Sequence, residues 1–260
     1  MFHDILYKSG SGIATITLNR PEKLNAFRSQ TIVELTTALA RAIKDRAVGV
    51  IVITSAGGKA FCVGGDISEM KDLNRKKGRI FVQKLLRLSK IFLTSPKPII
   101  AKVNGYCLGG GNEIQLFCDL TIASEKSIFG QTGPKVGSAP LWGGTQILPF
   151  LVGLKKAHEI IYLCRQYAAR EAMEIGLINQ VVPEISLDAI VERTCQEILE
   201  KGPQSLALAR QALHEGLWPR LAKDLKKLGK IYGTPEVKEG MNAFLEKRPP
   251  NFSKFRSHHE

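Results

Sequence analysis

Paired cysteines, metal-spaced histidines and long apolar runs are all missing from this 260-residue chain. The five cysteines (Cys62, Cys107, Cys118, Cys164, Cys195) are odd in number and form no CxxC pair. That argues against a disulfide framework or a zinc site and fits a reducing cytoplasm. His3, His158, His214, His258 and His259 are scattered, with neither metal-ligand spacing nor a nucleophile–base pairing, so no metal is expected. No segment approaches the ~18 consecutive apolar residues of a membrane span, and MFHDILYKSG at the start has no signal-peptide core. A soluble intracellular protein without a membrane partner is the expectation. Neither a P-loop nor a G-x-G-x-x-G fingerprint occurs, which leaves nucleotide-binding folds unsupported.

What is there is ordinary in bulk: 44% hydrophobic and 23% charged residues, in a chain long enough to bury a core without covalent staples. Acidic residues are the scarce charge, 24 against 37 basic, and the net charge of +13 implies an anionic partner or a solvated basic surface. The basic residues are spread along the chain, the densest stretch being LNRKKGR near Lys76. Aromatics at 7% with dispersed lysines argue against a nucleic-acid platform of interleaved rings and cations. A polyphosphorylated small ligand fits the charge better.

IATITLNR (Ile13 to Arg20) alternates apolar and polar residues and predicts a half-buried strand ended by Pro21. Apolar spacing through Ile32, Leu35, Leu39 and Ile43 predicts a helix from Ser29, as N-cap, to Lys44. VGVIVITS reads as a fully buried strand, a helix follows near Ile80 to Leu93, and Pro96 and Pro98 precede the buried strand IIAKVNG. Strand and helix signals alternate to about Val182, predicting an α/β core over residues 1–183. Residues 184–260 read as helical, with helices at Ile185–Leu199, Ser205–Glu215, Trp218–Tyr232 and Pro235–Leu245. The final NFSKFRSHHE is polar and reads as frayed.

Two glycine loops carry the chemistry. FCVGGD (Phe61 to Asp66) and NGYCLGGGNE (Asn104 to Glu113) each follow a buried strand. Glycine permits positive φ and lets a ligand approach the backbone amides closely. Either loop alone also suits a tight turn. Together they can set two N–H groups on one oxygen, the arrangement that stabilises an oxyanion.

FCVGGDISEM, NGYCLGGGNEIQLFCD, LNRPEKLNAF, FGQTGPKVGSAP and GGTQILPFLVG together resemble the crotonase (enoyl-CoA hydratase/isomerase) superfamily over nearly the whole chain. The resemblance implies a spiral of ββα units with a helical C-terminal trimerisation region. It also implies a coenzyme A thioester as substrate, no tightly bound cofactor, and a homotrimer or dimer of trimers. It assigns the oxyanion donors to Gly65 and Gly110. It implies a substrate pocket that includes Lys23, Leu24, Ala60, Gly64 and Ile67, with Lys23, Arg28 and, across a subunit boundary, Lys247 on the coenzyme A phosphates.

Family hydratases use two glutamates. Glu113 matches the first, and Gly133 stands where FGQPE supplies the second. FGQTGPKVGS resembles 1,4-dihydroxy-2-naphthoyl-CoA synthases, which make a C–C bond beside the thioester. In one class of these, bicarbonate fills the gap near Gln131, Thr132 and Gly133, and a tyrosine matching Tyr232 reaches the active site of a neighbouring subunit. Two departures matter: SAPLWGG replaces the synthases' SFDGG, and Glu113 is present where they lack it. GPKxGSAP resembles alicyclic ring-opening acyl-CoA hydrolases. The expectation is a lyase or hydrolase acting on a bulky or cyclic acyl-CoA, with Ser138 on a substrate carbonyl and Leu141 and Trp142 as pocket wall. Glu113 also suits a helix cap, Asp66 suits the organisation of its own loop, and Tyr232 suits a packed helix end. The alternatives are a plain hydratase or isomerase using Glu113 alone and, from a different class, an RNA-binding relative or a catalytically weakened scaffold.

Overall fold

The computed structural model describes residues 2–255. The hairpin β1 (Ile5–Gly10) and β2 (Ile13–Leu18) is followed by α1 (Ser29–Lys44), β3 (Val50–Ser55), β4 (Ala60–Cys62), the single turn α2 (Ile67–Met70) and α3 (Arg75–Thr94). The next turns are β5 (Ile99–Val103), β6 (Tyr106–Leu108), α4 (Gly110–Leu116), β7 (Leu120–Ser124) and β8 (Ile128–Gly130). Then come α5 (Leu148–Val152), α6 (Leu154–Leu163), β9 (Gln166–Ala168), α7 (Ala169–Glu174) and β10 (Gln180–Val182). Four helices complete the chain: α8 (Leu187–Leu199), α9 (Pro203–Leu213), α10 (Leu217–Ile231) and α11 (Pro235–Leu245).

The strands form two sheets, ordered β1-β2-β3-β5-β7-β10 and β4-β6-β8-β9. Parallel pairing links β2 through β10 in the first sheet and β4, β6 and β8 in the second. Each ββα turn therefore gives one strand to each sheet, which is the expected spiral. β3 has no polar face because both of its sides are covered. Ile51 and Ile53 enter the main core, while Val50 and Val52 meet Leu187, Val191 and Cys195 of α8.

α1 spans the residues its periodicity predicts and buries Ile32, Leu35 and Leu39. Its cap differs from expectation. Arg28 is the N-cap, with its N–H donating to the Thr31 hydroxyl, and Ser29 is the first helical residue, its N–H held by the Glu69 carboxylate. α3 begins five residues before the predicted start because Asn74 caps it, accepting from the Lys77 amide. Those first residues, RKK, show no apolar period to reveal them.

The C-terminal helices fold back over their own chain. Arg210 of α9 is buried and donates to the Asp119 carboxylate (2.8 Å) and to the Ser95 (2.7 Å) and Phe92 (2.8 Å) carbonyls. A buried guanidinium is stable only with its donors satisfied in this way. α10 lies along α3 and buries Leu221, Leu225 and Leu228. α11 packs on the 3-10 turn at residues 133–136. No described helix is long and apolar enough to cross a membrane.

Candidate active site

β4 and β6 are parallel neighbours with Cys62 opposite Cys107, so the loops that follow them leave the sheet side by side. Their contact requires glycine. Gly64 sits at φ +102°, and a Cβ there would stand 3.1 Å from the Gly110 nitrogen. A Cβ on Gly110 would lie 2.6 Å from the Phe27 ring, and one on Gly65 2.2 Å from the Met70 sulfur. The first loop is pinned by Phe27, whose N–H donates to Gly64 O (2.9 Å) and whose carbonyl accepts from Asp66 N–H (2.8 Å). Among the described residues, the Gly65 and Gly110 amides donate to no backbone or side-chain acceptor, and both residues border one cavity. An oxygen entering that cavity finds two unspent donors.

The loops are held from beneath by residues that sequence reasoning missed. Arg20 reaches Asp66 at 2.9 Å, and Asn25, at φ +56°, bonds the Arg20 amide and the Ala56 and Ala60 carbonyls. The signal available was an asparagine in LNRPEKLNAF, since asparagine tolerates the left-handed region better than most residues. Burial acts to raise the Asp66 carboxyl, but Arg20 and the Ser68 amide hold it below its ordinary value. Asp66 thus organises its loop.

Glu113, on α4, is buried. Its Oε1 accepts from the backbone amides of Trp142 (2.9 Å) and Gly144 (3.2 Å). Burial pushes its carboxyl up to about 8, with those two amides pulling the other way. A carboxyl poised there can both take and give a proton near neutrality.

The cavity measures about 580 Å³ and includes Lys23, Leu24, Ile67, Gln131, Thr132, Gly133, Ser138 and Trp142 on its lining. Phe27, Phe81, Trp142 and Tyr232 give it an aromatic wall, with Phe27 edge-on to Trp142 (5.5 Å) and Phe81 edge-on to Tyr232 (5.9 Å). Three carboxylates border it: Asp66 is paired with Arg20, Glu22 is exposed, and Glu113 has no cation. Burial and the nearby Glu113 carboxylate raise the Tyr232 phenol above its ordinary value, with the Ser138 hydroxyl opposing. Gln131 is fully buried, and neither atom of its amide has a partner in the protein. A buried amide with both ends unspent suits a polar group lodged in the cavity.

Three expected pocket residues lie off this lining. Arg28 spends its guanidinium on both oxygens of Asp4 (2.8 Å each) and is not on the lining. Ala60 is buried in β4 with its carbonyl turned to Asn25 and Ser55. Leu141 folds into a turn, its N–H bonded to Ala139 O, while Pro140 and Trp142 on either side face the cavity. Lys247, expected to act across a subunit boundary, is exposed just beyond α11, whose Phe244 and Leu245 reach the lining. Tyr232, expected at the site of a neighbouring subunit, borders the cavity of its own chain, where α10 folds back on α3.

A family model described as enoyl-CoA hydratase/isomerase matches residues 8–255. An enoyl-CoA hydratase from Mycobacterium avium subsp. paratuberculosis K-10 is similar in structure, with TM-score 0.87, 26% identity, and 97% of this chain and 99% of that one covered. An enoyl-CoA hydratase/isomerase from Xanthobacter autotrophicus Py2 gives 0.86 at 32% identity, with 95% and 98% covered. An enoyl-CoA hydratase from Bacillus anthracis gives 0.79 at 33%, with 96% and 98% covered. With two converging glycine loops, a buried glutamate and a match across almost its full length, the chain belongs to the enoyl-CoA hydratase/isomerase family of the crotonase superfamily, an acyl-CoA enzyme.

Proposed function

We propose that this enzyme adds water to the double bond of a bulky or cyclic enoyl-CoA, using Glu113 as its single acid–base group. The observation that carries this reading is that Glu113 alone, among the carboxylates on the cavity, is buried and free of a cation. The thioester oxygen accepts from the Gly65 and Gly110 amides. Ionised Glu113 takes a proton from water as the water oxygen bonds to the β-carbon, and the π electrons move onto the thioester as an enolate. The enolate collapses as Glu113 returns that proton to the α-carbon, so the balance is one water added. Each amide on the enolate oxygen contributes about 3–4 kcal/mol of transition-state stabilisation.

The aromatic wall supports a ring or branched acyl group over a straight chain. Gln131 suits a polar substituent on that group, the attacking water or bicarbonate. Of the two exposed lysines on the lining, Lys23 and Lys135, Lys23 suits a coenzyme A phosphate. C–C bond chemistry of the naphthoyl-CoA synthase kind is the second reading, favoured by Tyr232 and Ser138 lining the same cavity as Glu113. The assembly we propose is a trimer or dimer of trimers, supported by the apolar residues exposed on α5 and α6: Phe150, Leu154, Tyr162 and Leu163.

A panel of straight-chain, branched and cyclic enoyl-CoA esters, with products weighed by mass spectrometry, tests the reaction. A gain of one water on cyclic esters supports hydration; a product with a new or broken C–C bond and no such gain replaces it with the second reading.

A further inference from the structure

Eleven of the thirteen net positive charges lie on two helices that pack side by side. α3 has seven basic residues between Arg75 and Lys90 and no acidic one; α10 has five between Arg220 and Lys230 against Asp224 alone. All twelve are exposed except the half-buried Lys84. Their inner faces are apolar, with Phe81, Leu85 and Leu88 of α3 and Leu221, Leu225 and Leu228 of α10 buried. Among the described residues only Lys227 makes an ion pair, with Asp224 at 2.8 Å. The charge that looks dispersed along the sequence is therefore one basic face. Lys223, Lys226, Lys227 and Lys230 repel one another at helical spacing, an arrangement that lowers helix stability and that folding alone does not call for.

The partner of such a face is anionic. A second copy presenting the same face is repelled, and the remainder of the chain, at a net charge of only +2, offers no strongly acidic complement. A single-stranded nucleic acid needs rings to stack on, yet Phe81, Phe92 and Trp218 of these helices pack against the core. Eight of the twelve cations are lysines, compact charges suited to a diffuse anionic sheet more than to bidentate recognition. Ile80, 48% exposed between Arg79 and Lys84, adds an apolar group at headgroup depth. We propose that the α3–α10 face docks the enzyme on an anionic phospholipid surface. The expectation of no membrane partner followed from the missing apolar span, which excludes crossing a bilayer and says nothing of lying on one.

Sedimentation of the full chain with vesicles of equal parts phosphatidylserine and phosphatidylcholine tests this. Binding should be strong at low salt, weaken as the ~10 Å screening length at 0.1 M shortens, and be absent on pure phosphatidylcholine. Changing Lys223, Lys226, Lys227 and Lys230 together to Glu should weaken it roughly 100-fold or more. The same reversal at the exposed Lys8, Lys44, Lys59 and Lys201 should leave most of the binding intact. Should the first variant not fold, Arg79→Gln with Arg87→Gln probes the same face with a smaller loss. Equal losses from both fourfold variants, or no vesicle binding at low salt, overturn the proposal. Duplex or single-stranded RNA that binds more tightly at the same salt and strips the enzyme from vesicles also overturns it, in favour of nucleic acid.

Discussion

The indole N–H of Trp142 donates to the Ser89 hydroxyl at 2.7 Å, while the backbone N–H of the same tryptophan holds Glu113 at 2.9 Å. Ser89 lies on the buried side of α3 and donates its own O–H to Leu85 O (2.7 Å). One residue thus ties the acid–base carboxylate to a helix with which, among the described residues, it shares no hydrogen bond. Trp142 also meets Phe27, whose ring lies against Gly110, so the same residue links carboxylate and oxyanion loop.

Ser89→Ala should leave the indole N–H without a partner in a dry site, costing about 1–3 kcal/mol of stability. It should also loosen the backbone amide on Glu113. That amide lowers the carboxyl, so its pKa should rise further above about 8 and the limb of the pH–rate profile should move to higher pH. A destabilised variant with an unmoved profile makes Ser89 merely structural.

Glu113→Gln should lower turnover by at least about 10²-fold while acyl-CoA affinity, read by calorimetry, barely changes. The near-isosteric amide oxygen can still accept from Trp142 and Gly144. The variant should also change stability with pH. Folded Glu113 holds its proton to about 8, whereas the unfolded carboxyl releases it near 4.5. Its contribution is thus present below 4.5 and lost as pH rises to 8. The melting temperature of the wild type should fall relative to Glu113→Gln across that window and run parallel to it above.

A Cβ on Gly78 of α3 would stand 2.8 Å from the Cβ of Tyr232. Gly78→Ala should push Tyr232 outward, at about 1–3 kcal/mol of overpacking. If the phenol takes part in the reaction, Gly78→Ala and Tyr232→Phe should both lower kcat, and the double variant should lose little more than either. Full activity in Tyr232→Phe returns the tyrosine to a packing role.

A Cβ on Gly133 would stand 3.0 Å from Ser138 O, tight but not closed. If bicarbonate lodges by Gln131, added bicarbonate should raise wild-type activity, and Gly133→Asp should remove that dependence at some cost in melting temperature. An unchanged rate across bicarbonate concentrations leaves Gln131 to the substrate or water.

Phe150→Glu with Leu154→Lys places charge on the apolar α5–α6 surface. Light scattering should show the wild type as a trimer or larger and the variant as a smaller species. A monomeric wild type at micromolar concentration removes the proposed assembly.

Features with a local cause were readable from residue order. α1 and α11 occupy the spans that periodicity and proline placed. The glycines were legible because positive φ and close backbone approach leave few other residues possible at Gly64 and Gly109. Glu113 was legible because it follows directly on such a loop, and the ββα alternation showed as buried runs between glycine and proline. Features that join segments far apart in the chain emerge only once the elements pack. Ser89 is one polar residue on the buried, apolar side of α3 until Trp142 arrives from 53 positions away. Arg28 reads as free until Asp4 takes both ends of its guanidinium, and Tyr232 meets its own chain's cavity only because α10 lies back on α3. The basic face is the largest such effect. Helix period sets which side of each helix is charged, but only the packing of apolar faces more than a hundred residues apart joins the two charged sides into one surface.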